Sequence, residues 1–390
     1  MNKNFKNMII IFAGFFFLSL FSNTLSPFIT TIKNTYHVSS GIIAVLPSVV
    51  YCASFIMSMV SAKFMYTLGL RKGLNLGFLF AIIASVIIIL SKSFYVLMVG
   101  YFISGFAVGM GTVFLTTMLS LLPKQYQKFS LANAFFGLGG ILILPIDRLI
   151  LKGNIHFSYA YIVHIILIGI FLVLATRIKG ISLCVDEGSE CKKPESSVLK
   201  NPLVLLFVIA VFFYVGAEIS TTNWTGTFLE NYYGINKTEV PNILLGFWIL
   251  FTFGRAIGDK FLNKVGQLRF LLVSPIISIC GIFIILFGNS RIQALIGIAI
   301  LGITMSMIYP AIQGYIIQHV SREDVPPASA LITVFNNLGA TFLTYIIGFA
   351  GGQKVTYVFI IQIVFYLYII FVAARYLILK PRQQQQRQLN

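Results

Sequence analysis

Acid is scarce in this sequence. Eleven Asp and Glu residues stand against 28 Lys and Arg in 390, and charged residues of both signs together make up only 10%. Soluble domains carry about a quarter charged residues, so a water-facing globular surface is excluded. Cysteine is scarce too: Cys52 and Cys280 sit inside apolar runs, while Cys184 and Cys191 share one polar stretch. Four thiols so scattered exclude a disulfide framework and read as reduced. The chain has no Walker loop, no cluster with metal-ligand spacing and no nucleophile–base constellation, which argues against an ATP-driven pump and a membrane hydrolase. No cofactor and no metal is expected.

What is abundant is oil. Hydrophobic residues make up 58% of the chain and aromatics 15%, with 37 Phe, and the mean hydropathy is +0.91. The bilayer is therefore the expected solvent and partner. A net charge of +17 raises nucleic acid as a partner, but a nucleic-acid binder clusters its Lys and Arg on one solvated face. Here they lie in short gaps between apolar runs, which excludes that reading. Lys3 and Lys6 precede an apolar run that reaches Thr31 with no small-residue cleavage site, so this run reads as a first transmembrane helix rather than a signal peptide.

A helix needs about 20 apolar residues to cross the hydrocarbon. Twelve candidate spans follow, over 8–31, 40–64, 73–90, 94–121, 130–151, 159–176, 202–229, 241–262, 268–287, 292–317, 327–349 and 355–379. With the N-terminus inside, twenty basic residues fall on the cytoplasmic side, and only Lys33, Lys92, Lys152, Lys237, Arg291 and Lys354 fall on the other, as the positive-inside rule requires. Both termini are expected in the cytoplasm of a cell with this protein in its inner or plasma membrane. The segment 177–201, with "CVDEGSECKKPESS", reads as a cytoplasmic linker between an N-terminal six-helix bundle (1–176) and a C-terminal one (202–380). Residues 381–390 read as a disordered tail.

The two halves resemble each other. An offset of 197 lays "SAKFMYTLGLRK" over "GDKFLNKVGQLR", matching Lys63 to Lys260, Phe64 to Phe261 and Gly69 to Gly266. A duplicated six-helix layout with a central cytoplasmic loop is that of secondary transporters, and such a carrier is expected to work as a monomer.

The segment "GRAIGDKFLNKVG", from Gly254 to Gly266, is similar to the glycine-acid-base signature of the major facilitator superfamily. The first-half copy is degenerate, with Ala62 where that family has aspartate. "FYVGAE" followed by Trp224, "ANAFFGLGG" with Pro145, "SMIYPAI" and "FNNLGA" resemble, in order, the fucose permease-like sugar:proton symporter branch. The resemblance implies an all-α membrane protein with twelve transmembrane helices in two pseudo-symmetric bundles, and no enzyme activity. It also implies a conformational latch at Arg255, Asp259, Lys260 and Gly266, where the competing reading is an interfacial charge pair. Acids in spans one and four, which that branch uses for proton coupling, are absent here.

Glu218 is the site's anchor. A charge at mid-membrane costs about 2.5–3.5 kcal/mol on insertion scales and faces a bundle interior or wet cavity. At 100° per residue Tyr214, Thr221, Thr222 and Thr225 share its face. Glu218 is thus the candidate proton-coupling residue and a sugar-hydroxyl acceptor, against the alternative of a structural interhelical bond. Trp224 and Trp248 read as stacking platforms for a sugar ring or as interfacial belt residues. Asn23 lies at the depth of Glu218 in the repeat, where the two would meet across a cavity. With Asn133, Gln313, Asn336 and Asn337 it completes an amide inventory for a neutral polyhydroxyl solute, each amide competing with a helix–helix bond. Asp147 and Arg148 read as a solvated acid beside a snorkelling base, and His164 as a packing residue. The leading expectation is a carrier of a small polar, sugar-like solute, with protons as the candidate coupling ion. Efflux of amphipathic drugs and a non-transporting receptor on the same scaffold stand as alternatives.

Overall fold

The computed structural model describes residues 2–43, 45–153, 155–183, 197–236 and 239–389. Most of the linker, with Cys184, Cys191, Lys192 and Lys193, lies outside them, as does Lys237. Among the described residues the chain forms twelve helical spans. They are α1 (Lys3–Asn23, resumed as Leu25–Thr35), α2 (Val45–Leu68), α3 (Leu70–Leu90), α4 (Phe94–Ser120), α5 (Phe129–Lys152) and α6 (Tyr159–Ala175), then α7 (Pro202–Tyr233), α8 (Val240–Val265) and α9 (Gln267–Phe287). α10 (Arg291–Ser306, resumed as Ile308–Gln318), α11 (Val325–Leu338, a π turn Gly339–Leu343, then Thr344–Gln353) and α12 (Thr356–Leu389) complete the set. Ten are long and apolar enough to cross a membrane. α6 is shorter at 17 residues, and the 26-residue α8 carries Arg255, Asp259, Lys260 and Lys264 in its second half.

Proline accounts for two breaks. A proline ring clashes with the carbonyl four residues back and offers no N–H. Pro27 so disrupts α1 at Thr24, and Pro310 disrupts α10 at Met307. At the other end, α12 continues as helix through Leu389, across the stretch expected above to be a disordered tail. The span has already nucleated the helix, and Gln and Arg are good propagators.

Contacts divide the chain into two units. Unit 1 comprises Met1–Lys128, Ala132–Val198 and Val320–Asn337; unit 2 comprises Phe129–Leu131, Leu199–His319 and Leu338–Asn390. In unit 1 the best-packed pairs are α2 with α4, α3 with α4 and α3 with α6; in unit 2 they include α8 with α10, α9 with α10 and α9 with α12. The pairing repeats with every helix advanced by six. Gly69 and Gly266, matched in the sequence repeat, both hold positive φ, 76° and 87°, at the junctions α2–α3 and α8–α9. A side chain there would be strained.

Small residues set the closest approaches. On α4, Gly105 and Gly109 lie against Val50, Ala53 and Ser54 of α2, so the backbones meet as in small-xxx-small membrane packing. On α7, Gly216 receives Leu343 of the π turn, and Gly339 sits on the Phe212 carbonyl.

Candidate functional site

The polar centre of unit 2 is built by α7, α8 and α10. Glu218, midway along α7, faces Arg255 of α8, with Oε1 3.6 Å from the guanidinium; the side chains are 18% and 8% exposed. That separation makes an ion pair but exceeds the 2.7–2.9 Å of a charge-assisted hydrogen bond, so the carboxylate keeps accepting capacity. The Arg255 Nε donates to the Ser306 carbonyl at 3.2 Å. Ser306 lies four residues before Pro310, so this is the carbonyl the proline ring displaces from the helix ladder. The guanidinium also stands 4.2 Å over the Phe251 ring, a cation–π contact. Three interactions thus stabilise a charge in the interior.

Tyrosines and amides surround the pair. The Tyr214 hydroxyl donates to the Met305 carbonyl at 2.9 Å, and the Tyr309 ring lies 6.3 Å from that of Tyr214. Thr221 donates to Gln362 Oε1 of α12 at 3.0 Å, while the buried Gln362 Nε2 has no hydrogen-bond partner among the described residues. Trp248 stands edge-on to Phe251 at 5.4 Å, so Trp248, Phe251 and Arg255 form a ladder along α8.

The structure sorts the sequence-predicted residues. Glu218, Tyr214 and, through Phe251, Trp248 come together. Thr222 shares the helix but donates to the Glu218 and Ile219 carbonyls of its own backbone. Trp224 does not join them: its indole packs on α11, where a Cβ at Gly351 would come within 3.0 Å. The position reads as helix packing, because the missing side chains at Gly348 and Gly351 make the seat. Gln313 is buried in the second half of α10 and has a polar partner.

In unit 1, Asn23 Nδ2 donates to Ser19, to its carbonyl at 2.9 Å and its hydroxyl at 3.1 Å. Asn133 is half-buried and engaged. Asn337 donates to the Ser54 hydroxyl at 2.9 Å, while Asn336 is half-buried with no hydrogen bond among the described residues.

Arg255, expected in the latch, also faces Glu218, because Pro310 leaves a carbonyl for it and Phe251 a ring. Asp259, one turn further along α8, reaches α5: its oxygens accept from the Ser130 and Leu131 backbone N–H groups at 3.1 and 2.8 Å. These are orphan donors at the α5 N-terminus, where Lys128 has no accepting side chain, so Asp259 supplies the missing cap and the negative charge favoured there. The Ser130 hydroxyl donates to the Arg255 carbonyl at 2.8 Å, and Gly258 leaves room for it. Lys260 is exposed, and Gly266 holds the turn. Asp147 is not solvated. It is fully buried, and neither oxygen has a hydrogen-bond partner among the described residues, while Arg148 is exposed.

Sequence reasoning missed Tyr309, Phe251 and Gln362 as neighbours of this site. Gln362, a lone amide in "IIQIVF", carried the same signal as Gln313; Phe251, one of many phenylalanines, carried none.

Residues 11–289 and 206–389 match the family profile of the Major Facilitator Superfamily. The chain is 27% identical over 293 residues to a protein named TsgA homolog of Buchnera aphidicola subsp. Schizaphis graminum (strain Sg), covering 72% of each chain. It is 21% identical over 388 residues to a glucose/galactose transporter of Brucella abortus biovar 1 (strain 9-941), covering 94% of this chain and 92% of that one. Its fold is similar to that of the E. coli fucose:proton symporter FucP, with a TM-score of 0.82 at 17% identity over 96% of this chain and 99% of the other. The chain belongs to the Major Facilitator Superfamily: it is a multi-pass membrane transporter with the twelve-helix fold, and not an enzyme.

Proposed function

We propose that the chain is a secondary carrier that moves a sugar or similar small polar solute across the cell membrane by alternating access, as a proton-coupled monomer with both termini in the cytoplasm. The observation that carries this reading is the Glu218–Arg255 pair, with Glu218 at 18% exposure and aromatic rings beside it. A carboxylate with spare accepting capacity suits sugar hydroxyls, and the Trp248–Phe251 edge suits the apolar face of a sugar ring. The names of the Brucella and E. coli proteins support a sugar as the solute class.

Glu218 is the proposed coupling group. Protonation removes its attraction for Arg255, which keeps the Ser306 carbonyl and Phe251; proton binding is thereby linked to the arrangement of α7 against α8. Arg255, Asp259, Lys260 and Gly266 form the proposed latch, with 1–176 and 202–380 as the moving halves.

Uptake of labelled hexoses into proteoliposomes tests the reading. One charge moved down about 100 mV is worth about 2.3 kcal/mol, or about 40-fold accumulation. Wild type is expected to approach that ratio under an imposed proton gradient, and Glu218→Gln to fall to unity while still exchanging solute in counterflow. Full accumulation by Glu218→Gln would remove Glu218 from the coupling. Absence of hexose counterflow, with expressing cells retaining less of a lipophilic dye, would favour drug efflux instead.

A further inference from the structure

We propose that Asp147 is a second proton-binding site, in unit 1 and separate from the Glu218–Arg255 pair. It deepens the transport reading above and rests on it only for the consequence in coupling. Asp147 is the single acidic residue in 1–176, so any carboxyl proton carrier among the first six spans is this one. Its exposure is 0%, and Oδ1 and Oδ2 both lack a hydrogen-bond partner among the described residues. An ionised carboxylate with neither water nor donor is not sustained in oil; the group takes a proton instead. A purely structural acid would bond to a neighbouring helix, and among the described residues this one does not.

Tyr101 of α4 and Tyr161 of α6 lie within electrostatic reach of Asp147. Their hydroxyls bond each other at 2.8 Å, which commits one hydroxyl proton and leaves the other free to be donated. His164, one turn beyond Tyr161 on α6, is engaged with the Thr24 hydroxyl at 2.6 Å and flanked by Phe21 and Tyr161 rings. Arg148, next in sequence, is exposed and no counter-ion. Two residues before Asp147, Pro145 interrupts the ladder of α5, a place where a membrane helix can bend. When the side chain is dry, the carboxylate has taken one proton from water to become the neutral acid. When a bend or tilt admits water, or turns the free tyrosine hydroxyl toward it, the acid returns that proton to water.

The test is infrared spectroscopy of the purified full chain, in light and heavy water at neutral pH, with transport measured in parallel. The protonated-carboxyl stretch is expected in wild type and Glu218→Gln, lost in Asp147→Asn and shifted in Asp147→Glu. In proteoliposomes Asp147→Asn is expected to fall from about 40-fold accumulation to unity with counterflow retained, and Asp147→Glu to recover part of it. Counterflow shows that the variant has folded. A band unchanged in Asp147→Asn, or full accumulation by that variant, overturns the proposal. If wild type moves no hexose, the transport reading fails by itself, and the band in the variants still decides whether Asp147 holds a proton.

Discussion

Arg255 carries a full charge on a side chain only 8% exposed, and its environment explains how. Glu218, the Ser306 carbonyl and the Phe251 face each take part of the cost of leaving water. Breaking a buried pair from one side leaves the other charge stranded, at about 3–5 kcal/mol, whereas replacing both partners by apolar residues is often neutral. Glu218→Ala and Arg255→Ala are each expected to lower thermal stability in detergent by about that amount, and Glu218→Leu with Arg255→Met by much less. A double variant as unstable as the sum of the singles would show that the two side chains do not interact. Glu218 was legible in the sequence because an acid in an apolar run has few explanations. Its partner was not, since Arg255 also fits a loop signature and nothing local says which way a long side chain turns.

At the scale of the helix, single residues decide how elements meet. Asp259 caps α5 from another helix; removal of an N-cap costs about 0.5–2 kcal/mol. Asp259→Ala is expected to lose that much in a thermal melt, and Asp259→Asn, which still accepts, to lose less. On α4, a Cβ at Gly109 would come within 3.0 Å of the Ser54 backbone, which cannot turn aside as a side chain can. Gly109→Ala should destabilise by about 1–3 kcal/mol. Gly169, in α6 with nothing within 4 Å of its Cβ position, is the control: Gly169→Ala should be neutral or stabilising by up to about 1 kcal/mol. Equal effects at both positions would contradict the close approach of α2 and α4. The sequence alone does not mark Gly109 as a close approach, because the partner backbone lies about fifty residues away in the chain.

For the whole molecule, the sequence repeat and the helix pairing tell one story. Gly69 and Gly266 share a backbone conformation that other residues adopt at about 1–3 kcal/mol, and among the described residues no atom lies within 4 Å of either Cβ position. Gly69→Ala and Gly266→Ala are expected to cost similar amounts through the backbone alone, read as equal drops in melting temperature; a clear inequality would mean that the junctions are not equivalent. The charge asymmetry of the loops predicts topology at the same scale. A fluorescent protein fused after Asn390 should fluoresce in cells, and alkaline phosphatase fused there should be inactive; the reverse pattern would invert the assignment.

Hydropathy and charge are properties of local sequence, so the chain by itself determined the number of spans, their duplication and the helix that carries Glu218. An apolar run of sufficient length has one stable solution in a bilayer, and loop charge follows it. Burial and partnership are properties of packing between distant segments, and only the tertiary structure decided those. Asp147, beside an arginine near a helix end, reads as solvated until neighbouring spans close over it. Asn337 is spent on Ser54, and Asn336 is not, because one helix face meets α2 and the next does not. Trp224 goes to a glycine seat 124 residues further along, and the carbonyl that orients Arg255 exists because a proline on another helix displaced it.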